Sequence, residues 1–538
     1  MEHLSRRTLY TVFGIIIGVV GGLSMRPFLP SGDSDDMFTK FREVLFRVEN
    51  NYVDDVESQQ LIDGAIAGML EKLDPHSIYI TAEEQLRVAE DFKGSFEGIG
   101  VEFDVINDSI TVVAAISGGP AEKVGVVSGD RIVAIDGKNA VGLEASDVPT
   151  KLKGKKGTKV TVTVARPGHE ETVDFTITRG EIPLHTVDAS FVDKDGVGYI
   201  KINRFADPTY DEMMTHLRKL SKEGMTKLIL DLRGNPGGYM NRAISMADEF
   251  IDGGKIIVGT KSSRSGEEKE FESSNGQNYE KIPLIVLVSP GSASAAEIVA
   301  GAIQDLDRGL IVGETTFGKG LVQQQFPLSD GSAFRLTVAR YYTPSGRLIQ
   351  RPYSEGNEAY FTLDRRDDAE GDNLNHELDG KDTTRPVFET LGGRKVIGGG
   401  GITPDYVVKP DTLDPKSGSW EILTRNVVLE YVEGYMLSEE KNLRARYGKT
   451  VETYLRDFAV TDEMFDTFLD LAETKGIEVN RATIAHDRPL LKNRIKARIA
   501  RIIWGDNAFY RVALQADKQF LKALTLFGEA EKIQKMAR

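Results

Sequence analysis

The chain contains no cysteine, and this absence alone removes several classes of protein. Disulfide scaffolds, thiol catalysis, zinc ribbons and lipidation at cysteine all need that side chain. Cations are also scarce relative to anions, because 67 Lys and Arg against 82 Asp and Glu leave a net charge of −15. A chain this acidic is a poor non-specific binder of nucleic acid, which requires clustered Lys and Arg, so we expect no nucleic-acid partner.

A long apolar run lies at the start of the chain. Arg6 and Arg7 precede an uncharged stretch at 8–25, which is long enough to cross a bilayer as a helix. Positive charges followed by an apolar stretch are typical of a secretory signal, but residues 23–27 (Leu-Ser-Met-Arg-Pro) lack the small-residue pattern that signal peptidase cleaves. We therefore expect residues 1–30 to be an uncleaved signal anchor in the inner membrane, with most of the chain on the periplasmic side of the cell envelope. Cleavage and secretion into the periplasm is the alternative.

The 538 residues predict about three or four domains, and the residue patterns divide the chain accordingly. Helical spacing over 37–93 predicts an N-terminal helical region, and short β runs between Gly and Asp turns predict a β-rich domain over 94–180. Strands alternating with helices over 181–409 predict an α/β core with parallel crossovers. Its acidic insert at 355–382 is expected to be an exposed loop. Amphipathic helices over 416–538 predict a C-terminal helical region with a packing or self-association role.

A short glycine motif, Gly98-Ile99-Gly100-Val101, opens the β-rich segment. Successive backbone N–H groups in such a loop can hold a carboxylate, while the adjacent strand edge pairs with an extended peptide. The motif Ser-Gly-Asp-Arg-Ile and then Ile-Asp-Gly follow at 128–137. This order resembles a PDZ domain, which would bind the C-terminal tails of peptides. The alternative is a tight turn in an ordinary β domain.

A candidate nucleophile lies where an apolar strand at 284–288 runs through a turn of small residues into a helix. The turn contains Ser292 and Ser294, and the helix begins near Ala295. A serine at such a junction can present its hydroxyl at the end of a sheet, and the N–H groups of the helix N-terminus favour a developing oxyanion. The alternative is that the serine only caps the helix.

A serine nucleophile needs a base, and the seven histidines form no recognisable triad motif with these serines. Lys319 lies among glycines just past the neighbouring strand at 310–312, and burial could keep its amine neutral and basic. Gln323, four residues further on, could orient that amine. The alternative for Lys319 is a solvated loop lysine.

A third loop follows the apolar strand at 227–232 and contains Gly237 and Gly238. The N–H of one of these glycines, together with that of Ala295, could complete an oxyanion hole; the sequence does not decide which glycine does so.

The stretch from Gly313 to Lys319 also matches most of a Walker A loop, which keeps a P-loop-like ATPase as a minor alternative. Gly320, however, stands where the Mg²⁺-binding Ser or Thr belongs, and the following residues read as strand rather than helix.

Together these motifs resemble the carboxy-terminal processing (tail-specific) protease family over about residues 37–409. The motifs are L-D-P-H-S at 73–77, D-L-R-G-N-P-G-G at 231–238, G-S-A-S-A at 291–295, F-G-K-G-L-V-Q at 317–323 and G-I-T-P-D at 401–405. The resemblance implies a multidomain α+β protein. A crotonase/ClpP-like αβ protease core with an inserted β-rich PDZ domain would lie between N-terminal and C-terminal helical regions.

The resemblance also implies a function: a serine endopeptidase that forms an acyl-enzyme without a metal or organic cofactor. It makes Ser294 the nucleophile, Lys319 the general base and Gln323 the residue that orients the base. Protein substrates with exposed C-terminal tails would be the partners, bound by the PDZ loop at 98–101. A homo-oligomer is a separate expectation from the C-terminal helical region, which lies beyond the resemblance. The alternative is a non-catalytic, exported PDZ scaffold that only binds peptides.

Overall fold

The computed structural model describes residues 32–106, 108–116, 118–262, 264, 266–354, 356–362, 369–376 and 385–536. The chain forms two compact units, residues 1–73 and residues 74–538. The signal anchor expected at 1–30 lies outside the described residues. Within the part of the chain that is described, no helix combines the length and the apolar character needed to cross a membrane.

The first unit is helical in its described part, as the spacing of its apolar residues predicts. Its helices are Gly32–Asn51 and Ser58–Glu71. Phe38, Phe41 and Phe46 of the first helix are exposed, whereas Leu70 of the second is buried.

The second unit combines sheets with helices throughout. Its strands are β1 Ile78–Ile80, β2 Ser95–Gly98, β3 Val101–Ile106, β4 Ser109–Ala115, β5 Arg131–Ile135, β6 Lys138–Asn139, β7 Lys159–Ala165, β8 Val173–Thr178, β9 Gly180–Pro183, β10 Val187–Val192, β11 Val197–Ile202, β12 Lys227–Asp231, β13 Ile256–Lys261, β14 Glu268–Glu272, β15 Leu284–Val288, β16 Leu310–Gly313, β17 Leu321–Pro327, β18 Ala333–Tyr342, β19 Gly371–Asp372, β20 Val387–Glu389, β21 Lys395–Ile397 and β22 Tyr406–Val407. Its helices are Ala82–Lys93, Pro120–Val124, Val148–Leu152, Thr209–Lys222, Met240–Asp248, Ala295–Asp305, Asn357–Thr362, Ser419–Thr424, Val427–Tyr447, Val451–Asp457, Asp462–Thr474, Ile484–Trp504, Asp506–Ala513, Lys518–Thr525 and Phe527–Met536.

The central sheet has the strand order β10-β11-β12-β15-β16-β22-β19. Strands β11, β12, β15, β16 and β22 are parallel, and the two outer strands are antiparallel to them. All five residues of β15 are buried because helices cover both faces of the sheet, which is the usual environment of parallel strands. The carboxyl ends of β12, β15 and β16 therefore lie side by side, and the loops that follow them meet at one edge.

A second, antiparallel sheet has the order β1-β18-β13-β14, with β17 also paired to β18. Strand β1 (Ile78–Ile80) falls in a segment where the sequence predicted only helix. It is a strand because it pairs with residues 333–335 of β18, a partner that local periodicity cannot reveal.

The β-rich segment forms a sheet of the order β3-β4-β5-β7-β8, with β6 on β5. Its core is apolar and includes Ile110, Val112 and Ile132, none of which is exposed. Strand β2 pairs with β9, so the two ends of the segment come together where it joins the rest of the unit. Strand β3 is at the edge of its sheet.

The last helices cover one face of the central sheet. Phe520 and Phe527 are buried in a cluster with Ile285 and Leu287 of β15. The acidic insert differs from expectation in its described residues. The prediction of an exposed loop is wrong for Tyr360 and His376, each only 1% exposed. Tyr360 is held by a hydrogen bond to His76, and His376 lies 3.6 Å from Asp405.

Candidate active site

The turn after β15 holds Ser294 in an unusual backbone conformation. Its φ is 54°, in the left-handed region that non-glycine residues seldom adopt. The backbone N–H of Ser294 donates to Glu297 Oε2 at 2.8 Å, which fixes the turn against the helix Ala295–Asp305. A strained serine at a strand-to-helix turn is the arrangement that exposes a nucleophilic hydroxyl.

Glu297 joins this turn to the loop after β16. Its buried carboxylate accepts hydrogen bonds from the N–H groups of Ser294 (2.8 Å), Gly318 (2.6 Å) and Lys319 (2.8 Å), and from Thr316 Oγ1 (2.5 Å). Burial raises the pKa of this carboxyl, while the hydrogen bonds act in the opposite direction. Sequence reasoning missed Glu297. The sequence does contain one indication of its role, because Glu297 lies three residues after Ser294, where the capping-box pattern of a helix N-terminus has Glu.

Lys319 is partly buried, and its Nζ donates to Gln323 Oε1 at 2.7 Å. Burial, and after it the positive charge of Arg335, lower the pKa of the amine to about 8. The carboxylates of Glu297 and Asp74 oppose both effects. The environment therefore favours a neutral amine at a pH far below that of an ordinary lysine.

Gln323 is held from its other side by the turn at 73–77. Its Nε2 donates to the backbone oxygen of His76, so its Oε1 faces Lys319. Asp74 Oδ1 shapes this turn by accepting from the N–H groups of His76 (2.8 Å) and Ser77 (2.9 Å). This turn thus orients Gln323 through the backbone carbonyl of His76, a contact that no sequence pattern indicates.

Ser294, Lys319 and Gln323 line one cavity of about 1120 Å³, together with Gly237 and Gly238. In the described chain, no hydrogen bond joins the Ser294 hydroxyl to the Lys319 amine. Catalytic hydrogen bonds are often long in a protein without substrate and tighten when substrate binds. The structure thus brings the candidate nucleophile and base to the same cavity.

The two candidate glycines differ in what their N–H groups do. The N–H of Gly237 donates to Asn235 Oδ1 at 2.9 Å and is therefore occupied. Among the described residues, the N–H groups of Gly238 and Ala295 have no acceptor. The geometry therefore favours Gly238 with Ala295 as the donor pair, which the sequence alone left open.

Similarity to known proteins covers the same residues. The profile of Peptidase family S41 matches residues 196–356, and that of the PDZ domain matches residues 98–177. A carboxy-terminal-processing protease of Bartonella bacilliformis is 39% identical over 315 residues, which are 58% of this chain and 72% of that protein. The carboxy-terminal processing protease CtpA of Bacillus subtilis is 35% identical over 357 residues, 64% of this chain and 76% of that protein. The chain belongs to the carboxy-terminal processing protease family.

This family membership confirms the recognition made from the motifs, and it makes the chain a serine-type peptidase with a PDZ domain. Two further profiles match: the N-terminal domain of the activating protease CtpB at 29–84 and a family of unknown function at 420–505. The solved structure of the photosystem II D1 C-terminal processing protease is 30% identical and covers 58% of this chain and 89% of its own, with a TM-score of 0.32. The domain boundaries drawn from the sequence stay predictions.

The PDZ domain of this protease has a small groove beside its edge strand β3. Three of the four predicted peptide-binding residues, Ile99, Gly100 and Val101, line the groove. Gly98 does not line it and instead pairs with Gly180 between β2 and β9. An edge strand beside an apolar groove is the surface to which an extended peptide can add as a further strand.

The phosphate-loop alternative does not fit this protease. Strand β17 begins two residues after Lys319, where a P-loop requires a helix. The N–H groups of Gly318 and Lys319, which would cradle a phosphate, donate to Glu297 instead.

Proposed function

We propose that this chain is an endopeptidase in which Ser294 is the nucleophile and Lys319 is its general base. One observation carries the proposal: the turn of Ser294 and the loop of Lys319 share the buried carboxylate of Glu297 and open into the same cavity. Gln323 orients the Lys319 amine.

The lowered pKa explains how a lysine can act as a base near neutral pH. With a pKa of about 8, roughly a tenth of the Lys319 amines are neutral at pH 7. For an ordinary lysine the neutral fraction is only about 0.04% at that pH. Burial and the nearby positive charge together thus increase the population of competent base by more than about a hundredfold.

The proposed reaction proceeds in two steps. The Ser294 hydroxyl attacks the scissile carbonyl while Lys319 accepts its proton, and the N–H groups of Gly238 and Ala295 stabilise the oxyanion. Lys319 then gives that proton to the leaving amine, which departs and leaves the acyl-enzyme. Water attacks the ester and one of its protons passes to Lys319. That proton returns to Ser294 as the ester bond breaks, and the new carboxylic acid is released and gives its own proton to solvent.

The proposal extends to substrate recognition and location. We propose that the PDZ groove binds the C-terminal tail of protein substrates, supported by the edge strand β3 and the loop at 99–101. We also propose that residues 1–30 anchor the protease to the inner membrane with its cavity on the periplasmic side, which rests on the sequence of that segment.

The test uses the full chain and an unfolded protein with an apolar C-terminal tail. Ser294→Ala and Lys319→Ala are compared with wild type and with two exposed controls, Ser128→Ala and Lys261→Ala. We expect cleavage by wild type and both controls and none above background by the two active-site variants. Cleavage that survives in Ser294→Ala would mean another nucleophile. Tail binding without cleavage by wild type would support the peptide-binding scaffold instead.

A further inference from the structure

Arg335 places an uncompensated positive charge in the cleavage cavity. It lies on β18, opposite Gln325 of β17, and lines the same cavity as Ser294. Within the part of the chain that the structure describes, its guanidinium forms no hydrogen bond and no ion pair. The guanidinium lies over the ring of Phe92, with Cζ 5.9 Å from the ring centroid.

The groups around Arg335 are engaged with one another. Gln325 Nε2 donates to Gln85 Oε1 at 3.0 Å, and among the described residues neither amide oxygen accepts a hydrogen bond from the guanidinium. The other charged side chains that line the cavity are Asp91, Lys93, Arg204, Asp207 and Lys319. Neither of the two carboxylates in this set forms an ion pair with Arg335. Asp207 instead pairs with Arg242 at 3.2 Å.

An unpaired, partly buried guanidinium is costly to keep, because burial removes water without supplying a counter-charge. Burial lowers the pKa of Arg335, as expected for a desolvated cation. The guanidinium fork fits a carboxylate through two parallel N–H···O bonds, which makes a carboxylate its best-matched ligand among peptide groups.

We propose that Arg335 is a substrate-binding residue that takes a carboxylate of the peptide being cleaved. The inference rests on the proposed function, since it assigns a specificity to the same cavity. Two sources share this chemistry: the terminal carboxylate of a short substrate, and the side chain of an internal Asp or Glu. A peptide carboxylate would supply the counter-charge that the described chain does not.

A carboxylate bound to Arg335 also changes the pKa of the proposed base, Lys319. Arg335 lowers the pKa of the Lys319 amine, whereas Glu297 and Asp74 raise it. A carboxylate bound to Arg335 offsets the first effect, so the acidic limb of kcat moves to higher pH for carboxylate-bearing substrates. A purely structural role of Arg335 would not make this limb depend on the substrate.

The test measures KM and kcat for matched peptides with wild type, Arg335→Gln, Arg335→Lys and the exposed cation Arg340→Gln on the same strand. One pair of peptides differs only in a C-terminal acid or amide. A second pair is amidated and differs in an internal Glu or Gln. The PDZ groove is unchanged in every variant, so its own preference for an acid cancels when the acid-to-amide ratios are compared.

We expect wild type and Arg340→Gln to favour the carboxylate member of at least one pair by about tenfold in KM. Arg335→Gln removes that preference and Arg335→Lys retains part of it. The peptide pair whose difference in KM disappears in Arg335→Gln identifies whether Arg335 binds the terminal carboxylate or an internal acidic side chain. Equal KM values for both pairs in wild type, or an unchanged preference in folded Arg335→Gln, would overturn the inference. Wild-type cleavage that requires Ser294 would leave the proposed function standing in either case.

Discussion

Adding a single methyl group at Gly237 tests how closely the loop after β12 packs against the nucleophile turn. Gly237 has a φ of +98°, and a Cβ there would lie 2.7 Å from Ala293 O, 2.8 Å from Ser294 Cβ and 2.9 Å from Ala295 N. These atoms belong to backbone or lie next to it, so they cannot swing away as the end of a long side chain can. Gly237→Ala therefore has to displace either its own loop or the turn of Ser294.

The magnitude follows from two separate effects. The left-handed conformation costs an alanine about 1–2 kcal/mol. The displacement acts on catalysis, because it moves Ser294 and the Ala295 N–H from the positions where they would act. A shift of about 1 Å in a reacting group can cost about a hundredfold in rate. We expect kcat/KM to fall by about a hundredfold or more.

Gly234→Ala, in the same loop, is the matched control. Gly234 also has a positive φ, +68°, but a Cβ there would meet no heavy atom within 4 Å. This variant should lose about 1 kcal/mol of unfolding free energy and keep nearly wild-type turnover. Peptide cleavage and thermal unfolding are measured for both variants. Equal activity of the two variants would refute the argument that Gly237 packs against the nucleophile turn.

Three further predictions concern the base, the core and the insert. Wild-type kcat/KM should rise with pH and level off above about 8, because Lys319 acts only when its amine is neutral; a pH-independent rate between 6 and 8 would exclude this base. Asp405→Asn should lower the unfolding free energy by about 3 kcal/mol in urea titrations, because the buried Asp405 pairs with Arg394 at 2.7 Å. The exposed control Asp411→Asn should change the unfolding free energy little, and equal losses in the two variants would contradict the argument. Tyr360→Phe removes the hydroxyl that lies 2.7 Å from His76 Nε2 and should lower kcat about threefold at constant KM. An unchanged kcat would show that the insert does not affect the turn that holds Gln323.

Much of the architecture could be predicted from the sequence because its signals are local. The apolar run at 284–288 is β15 without any change of boundary, and the run at 227–232 is β12 with one residue fewer. A short continuous run of apolar residues identifies such a buried strand, and helices between successive strands imply parallel crossover connections. The fold class and the family were predicted from these patterns and from motifs with fixed order, and the comparisons confirm both. The roles of Ser294, Lys319 and Gln323 stay predictions.

Other features were decided only by the tertiary structure, because they depend on hydrogen-bond partners that lie far apart in the chain. The backbone of His76 accepts from Gln323 across 247 positions, and Tyr360 of the insert is buried against the same turn. Only the fold shows that Asn235 Oδ1 accepts from the N–H of Gly237, and that no described carboxylate pairs with Arg335. The sequence by itself therefore determined which chemical groups are present and which strands and helices carry them. The fold decided which of those groups are already bonded and which remain available to a substrate, because hydrogen bonds between distant segments leave no local periodicity to read.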